Sequence, residues 1–366
     1  MVLTSGLAAL AVLVAACGGA PAAGGAASPS GSLDGAGKEI VFFGLTDQVA
    51  YNRLQNEAVQ EQAKQMGFTY RAILTPQLDQ TVQDGLVRQF VASGDKPAAI
   101  LWFPVDVAAS VNSVRQLSQI APVIQLTRAP IPATEPYVTS SVSGDSLKVG
   151  AAAEALLAKA RSDLEAKGVA LKSPQGNLLR IFGPATSQTA IDRTKGFMDA
   201  MASKPFTILA TEAGVYAAAQ PTYVAASPLI ARFRGQIDFL QTYTTDAAVG
   251  VAQALRENGL ELNKDVWMVA DACNGGVSAL ADRQILGTTI QSPQAEGQLG
   301  VVVAAQFLAT QKTVPGDVQY PVAADPPAFT ADPPHKVNYI PLLTVTDIDQ
   351  FNAAKIWGRS AKEMCS

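Results

Sequence analysis

Short apolar runs ending in polar residues recur along this chain at strand-like length. Pro122 to Arg128 shows the pattern: Val123 to Leu126 is largely apolar, interrupted by Gln125, and Thr127 and Arg128 follow at once with hydrogen-bonding groups. The same sequence grammar appears at Glu39–Asp47, Ala98–Asp106, Phe239–Thr245, Val266–Asn274 and Gly287–Gln291. Between these runs lie segments with helical spacing. Tyr51–Met66 stops at Gly67, a favourable C-terminal cap. Val82, Leu86, Val87, Phe90 and Val91 share one helical face, and Val107–Ile120 forms a third helix. A second alternating set is predicted: helix Val149–Ala160, strand Asn177–Phe182, helix Ala190–Met201, strand Thr207–Glu212, helix Tyr223–Phe233, strand Asp238–Gln241, helix Ala247–Glu257 and strand Val266–Ala270. Thr288–Gln291, a helix Ala295–Thr310 and a returning tail Val337–Thr346 follow. Strands alternating with helices in two sets predict two doubly wound parallel sheets, and the late returns predict a hinge of several strands. In such sheets ligands bind at the shared carboxyl edge of the strands, where the polar residues lie.

Length agrees with two domains, since 366 residues exceed a usual single core. A hydrophobic content of 48% with 16% charged residues is that of a globular chain, and a net charge of -4 without a clustered basic face argues against a nucleic-acid partner. Residues 1–17 differ in kind. The apolar run Leu7–Val14 is too short to span a bilayer and stops at Ala15-Ala16-Cys17, ahead of a Gly/Ala/Ser/Pro tract over residues 18–37 that reads as a flexible tether. This resembles a bacterial lipoprotein signal, which implies lipidation of Cys17 and an extracytoplasmic, membrane-anchored location. No Lys or Arg precedes the apolar run, so a start upstream of Met1 is compatible with the pattern. Cys273 and Cys365 are the remaining thiols, able to pair in an oxidising compartment although two cysteines do not fix the geometry. With one histidine, His335, and no Cys-x-x-Cys, neither a metal site nor a cofactor is expected.

Several stretches, taken in order, resemble the periplasmic sugar-binding proteins of the ribose-binding type, the solute receptors of ABC importers. They are Gln65-Met66-Gly67-Phe68, Val123 to Arg128, Ser143-Gly144-Asp145-Ser146, Ile191 to Phe197, Val269-Ala270-Asp271 and Thr289 to Pro293. The resemblance implies a type I periplasmic binding protein fold, with one lobe from 38–142 plus 292–342 and the other from 143–291 plus 343–366. It also implies a neutral sugar or polyol ligand, a permease partner and a monomeric receptor without catalytic activity. Carried over by position, the ligand residues fall at Tyr51, Thr127, Arg128, Tyr216, Thr244, Asp271 and Gln291. Asp47 and Trp102 are added because they too stand at polar strand ends. Planar Arg, Asp and Gln groups can each engage two sugar hydroxyls, and aromatic rings cover the apolar C–H face. Tyr51 and Tyr216 suit core or cleft equally, Trp102 suits packing or stacking, and Asp271 suits a helix cap as well as a ligand. Pentose binders of this family carry an arginine where this chain has Ile191, and Arg193 two positions on has a spacing suited to packing on the domain surface.

Two other readings share the sequence. Gly144-Asp145-Ser146-Leu147 together with Asp332-Pro333-Pro334-His335 resembles the nucleophile and base motifs of GDSL hydrolases, with Ser146 as nucleophile and His335 as base. Against it, Ser146 follows four strand–helix units instead of the first strand, and the Gly-x-Asn-Asp motif is missing. The same fold also serves as a ligand receptor for a membrane sensor.

Overall fold

The computed structural model describes residues 34–185, 187–214, 218–312, 331–332, 336–340, 342–356 and 359–365. The first lobe alternates β1 (Glu39–Leu45), α1 (Ala50–Gln65), β2 (Thr69–Thr75), α2 (Gln80–Ser93), β3 (Ala99–Trp102), α3 (Val111–Ser118), β4 (Val123–Thr127) and β5 (Ser140–Gly144). The chain then enters the second lobe through α4 (Ser146–Ala166), β6 (Asn177–Phe182), α5 (Gln188–Ala200), β7 (Thr207–Ala213), α6 (Ala219–Phe233), β8 (Phe239–Thr244), α7 (Thr245–Glu257), β9 (Trp267–Ala272), α8 (Ser278–Ala281) and β10 (Thr288–Ile290). It returns with α9 (Pro293–Thr310), β11 (Ala331–Asp332) and β12 (Val337–Ile340). It then crosses again to β13 (Leu343–Val345), α10 (Ile348–Ala353), β14 (Lys355–Ile356), β15 (Arg359–Ser360) and α11 (Ala361–Cys365).

One sheet has the order β11-β12-β5-β4-β3-β1-β2 and the other β13-β10-β9-β8-β6-β7, parallel throughout except for the antiparallel edge strands β11 and β13. The chain passes between the sheets after β5, after β10 and between β12 and β13. The tail expected as one return over Val337–Thr346 is therefore two short strands in different sheets, because the crossing falls inside it. Strand order reverses between β1 and β3 in one sheet and between β6 and β8 in the other. Neighbouring crossovers there leave on opposite faces, which opens a crevice at the carboxyl ends.

Local chemistry fixes the elements that border this crevice. Asp145 caps α4 by accepting from the Lys148 N–H, Thr244 caps α7 by accepting from Ala247, and Ser292 caps α9 by accepting from Ala295, with Pro293 in its first turn. α9 is buried on nearly every side through its first 13 residues, as a helix wedged between α1 and its sheet must be. Gly150 on α4 and Gly196 on α5 permit a close helix approach, since a Cβ at Gly150 would lie 2.0 Å from the Arg193 carbonyl oxygen and one at Gly196 2.0 Å from the Leu147 carbonyl oxygen. Cys273, just after β9, forms a disulfide with Cys365 at a Cα–Cα distance of 5.4 Å, tying α11 to the second lobe.

Candidate functional site

The carboxyl edges of both sheets enclose a cavity of about 540 Å³. Leu45 and Phe103 border it from the β1/β3 switch of the first lobe, and Pro184 and Tyr243 from the β6/β8 switch of the second. Of the expected ligand residues, Tyr51, Thr127, Arg128, Thr244 and Gln291 line it together. Asp271 is fully buried behind the wall formed by Ala272 and Cys273. Asp47 is half-buried outside the lining and accepts from the Asn56 amide at 2.9 Å. Trp102 packs wholly inside the first lobe with its ring 5.8 Å from that of Phe43. Strand alternation explains its position: Trp102 turns into the outer core layer, so the next residue, Phe103, falls on the cavity side. Tyr216 and His335 lie outside the described residues.

Two guanidinium groups face the cavity from opposite lobes. Arg128 Nη1 donates to the Pro104 carbonyl at 2.8 Å, and its guanidinium lies 5.5 Å from the Phe103 ring centroid. Burial lowers its pKa, with Tyr243 and Asp106 acting in the opposite direction. Arg193 overturns the surface placement suggested by spacing. It shares the buried face of α5 with Ala190, Gly196 and Phe197, while Ile191 is 44% exposed. Its Nη1 donates to the Tyr243 carbonyl at 3.3 Å and Nη2 to Gln291 Oε1 at 3.5 Å; its guanidinium carbon sits 4.8 Å from the Tyr243 ring centroid, and its buried Nε has no protein partner. These long contacts leave hydrogen-bonding capacity unused on a residue that lines the cavity.

The central carboxylate is one the sequence did not single out. Glu296, in the first turn of α9, is fully buried and accepts on Oε2 from Tyr51 Oη at 2.6 Å, Thr127 Oγ1 at 2.8 Å and Gln55 Nε2 at 3.0 Å. On Oε1 it accepts from the Gly144 N–H at 2.9 Å and Gln291 Nε2 at 2.8 Å. Burial raises its pKa, and these hydrogen bonds oppose the rise. Glu296 thereby joins the crossing after β5 to the crossing after β10. Gly144 is needed at this junction, because a Cβ there would stand 2.4 Å from Gln291 Cδ. Thr127 has φ of 68°, a strained value for a β-branched residue, and the bond of its hydroxyl to Glu296 helps hold it there. In sequence, an acid in the first turn of a helix signals only favourable helix-dipole chemistry, so nothing marked Glu296 as different.

Asp271 has a sparser environment. Its Oδ1 accepts from Gln241 Nε2 at 2.7 Å, whereas Oδ2 is buried without a protein partner. Burial pushes its pKa up to about 6, against the pull of Arg193, Gln241 and Arg180. Asp145 of the Gly-Asp-Ser-Leu stretch is occupied as the α4 cap, which accounts for that stretch structurally. No cluster of His, Cys, Asp and Glu suited to a metal ion occurs among the described residues, and none of their helices is long and apolar enough to cross a membrane.

Residues 40–312 match the family model described as a periplasmic binding protein domain. The ribose import binding protein of Salmonella typhimurium is 27% identical over 269 residues, spanning 73% of this chain and 82% of that protein. A periplasmic ribose ABC transporter structure from Conexibacter woesei superposes with a TM-score of 0.69 at 16% identity, covering 91% of this chain and 99% of that one. A solute-binding protein from Bacillus halodurans with bound myo-inositol gives 0.65 at 18% identity, covering 85% and 95%.

Proposed function

Because the chain belongs to the periplasmic binding protein domain family, we propose that it is the extracytoplasmic solute-binding component of an ABC importer, capturing a small neutral polyhydroxylated ligand by closure of its two lobes. Its relatives are solute-binding proteins and not enzymes, so the Ser146–His335 reading is set aside. The observation that carries the proposal is the cavity itself: Arg128 with Phe103 from one lobe faces Arg193 with Tyr243 from the other. Guanidinium forks engage adjacent hydroxyls while the rings cover C–H faces, a donor set suited to a sugar. Thr244 and Gln291 add to the polar lining, and Asp271 neutralises the Arg193 side from behind.

Closure turns on the strands that cross between lobes and buries the ligand between rigid strand ends, after which the closed form docks on a membrane permease. The receptor works as a monomer held to the membrane by lipid on Cys17, a reading supported by the short apolar run and small residues ahead of that cysteine. A thermal-shift screen against pentoses, hexoses and polyols tests the function, since a ligand that binds only the folded state raises its melting temperature. A rise of several degrees with one sugar class is expected; no shift with any would reject the proposal. Mass analysis of membrane-extracted protein checks the anchor: Cys17→Ala must abolish the acyl mass, and an unchanged mass would exclude lipidation there.

A further inference from the structure

The donors around Glu296 are all directed at its carboxylate. An ionised carboxylate only accepts, so each of its partners must donate. The single hydroxyl hydrogen of Tyr51 goes to Oε2, and so does that of Thr127, which itself accepts from Gln55 Nε2 at 2.7 Å. Gln291 has two amide hydrogens; one goes to Glu296 Oε1 and the other to Tyr51 Oη at 3.0 Å. The Gln291 amide is therefore locked with its Oε1 toward Arg193. Tyr51, Thr127 and Gln291 all line the cavity, yet none has a hydrogen left to offer a ligand.

We propose that Glu296 is a positioning residue that makes the hinge-side floor of the cleft a surface of acceptors, so that the part of the ligand seated there must present hydroxyl hydrogens. Donors come from the flanking guanidiniums of Arg128 and Arg193, and the floor supplies Gln291 Oε1 and the free lone pair of Thr127 Oγ1. This rests on the sugar-receptor reading above and narrows it. A free hydroxyl at the floor is accepted by these lone pairs, whereas a fluorine there finds no hydrogen on Tyr51, Thr127 or Gln291 and is disfavoured.

The test uses the full chain with D-arabinose, L-arabinose, D-ribose, D-galactose and myo-inositol as probes in titration calorimetry, followed by the monofluoro-deoxy analogues of the tightest binder. Fluorine accepts but does not donate, so replacing the floor hydroxyl is expected to weaken binding by about tenfold or more, as losing a hydrogen bond to a buried group does. In Glu296→Gln the new amide donates to Tyr51 and Thr127, freeing a hydroxyl hydrogen to turn toward the fluorine, and the same analogue should then lose less than about threefold. A loss of general packing would weaken parent and analogue alike and leave their ratio unchanged. Tolerance of fluorine at every position in the wild type, or a penalty that persists in Glu296→Gln, overturns the proposal.

A ligand-free cycle of melting temperatures supplies the second measurement. Tyr51→Phe should cost about 2 °C or more in the wild type and less than half of that in the Glu296→Gln background. Additive costs would break the network and the proposal with it. If none of the probes binds, the sugar-receptor reading fails, and the cycle alone decides whether Glu296 holds these donors.

Discussion

Glu296 and Asp271 are both fully buried carboxylates beside the same cleft, one on each lobe, and they differ in how completely they are satisfied. Glu296 is surrounded by donors from Tyr51, Gln55, Thr127, Gly144 and Gln291. Asp271 has the Gln241 amide and one oxygen without a protein partner. A buried polar group left open is costly, so such openness persists where function uses it, whereas a saturated carboxylate is a structural clasp. Both oxygens of Glu296 are thus satisfied in the unliganded protein, whereas across the cleft Asp271 Oδ2 and Arg193 Nε keep unused capacity.

The largest expected effect separates the two carboxylates by stability. Glu296→Ala strands several buried donors and should destabilise the protein by roughly 3 kcal/mol or more in chemical denaturation. Asp271→Ala, which deprives Gln241 of one hydrogen-bond partner and Arg193 and Arg180 of a nearby negative charge, should cost clearly less than Glu296→Ala. Equal costs would erase the distinction. Next in size is the staple of the second lobe: Cys365→Ser opens the Cys273–Cys365 disulfide, whose cysteines are 92 residues apart, and should cost about 2–4 kcal/mol. A melting curve unchanged by the substitution or by reductant would show that α11 is held by packing alone.

A pH series sharpens the comparison further. Burial raises Asp271 from its ordinary 3.8 to about 6, so between those values the folded protein keeps a proton that the unfolded chain has released. Asp271 therefore favours the folded state more at low pH, and that advantage is lost as pH rises through the window to about 6. Relative to Asp271→Asn, which does not titrate, the wild type should lose roughly 2–3 kcal/mol of stability between pH 4 and 6.5. Parallel pH profiles for the two proteins would contradict the burial account.

The strand ends were legible because each apolar run stops at a polar residue, and strand length leaves little freedom in where that edge falls. Thr127, Arg128, Thr244 and Gln291 stand at such ends, and the family resemblance singled them out together with Tyr51; all five line the cavity. Arg193 and Glu296, both brought in by helices, were not legible. Whether Arg193 faces solvent or cleft depends on the rotation of α5 against α4, which the close contact at Gly150 sets, and spacing alone cannot report it. Glu296 was hidden for a related reason: its partners lie in segments far apart in sequence and meet only when the crossings are built. Trp102 illustrates the pleat, since a shift of one position separates core from cleft.

The central claim, that guanidiniums from the two lobes close on a sugar, is tested most directly by titration calorimetry of wild type, Arg128→Ala and Arg193→Ala with the probe that binds most tightly among D-arabinose, L-arabinose, D-ribose, D-galactose and myo-inositol. Each truncation removes a charge-assisted contact from a closed cleft and is expected to weaken binding by more than about tenfold. Wild-type affinity in both variants would place the ligand elsewhere and contradict the account.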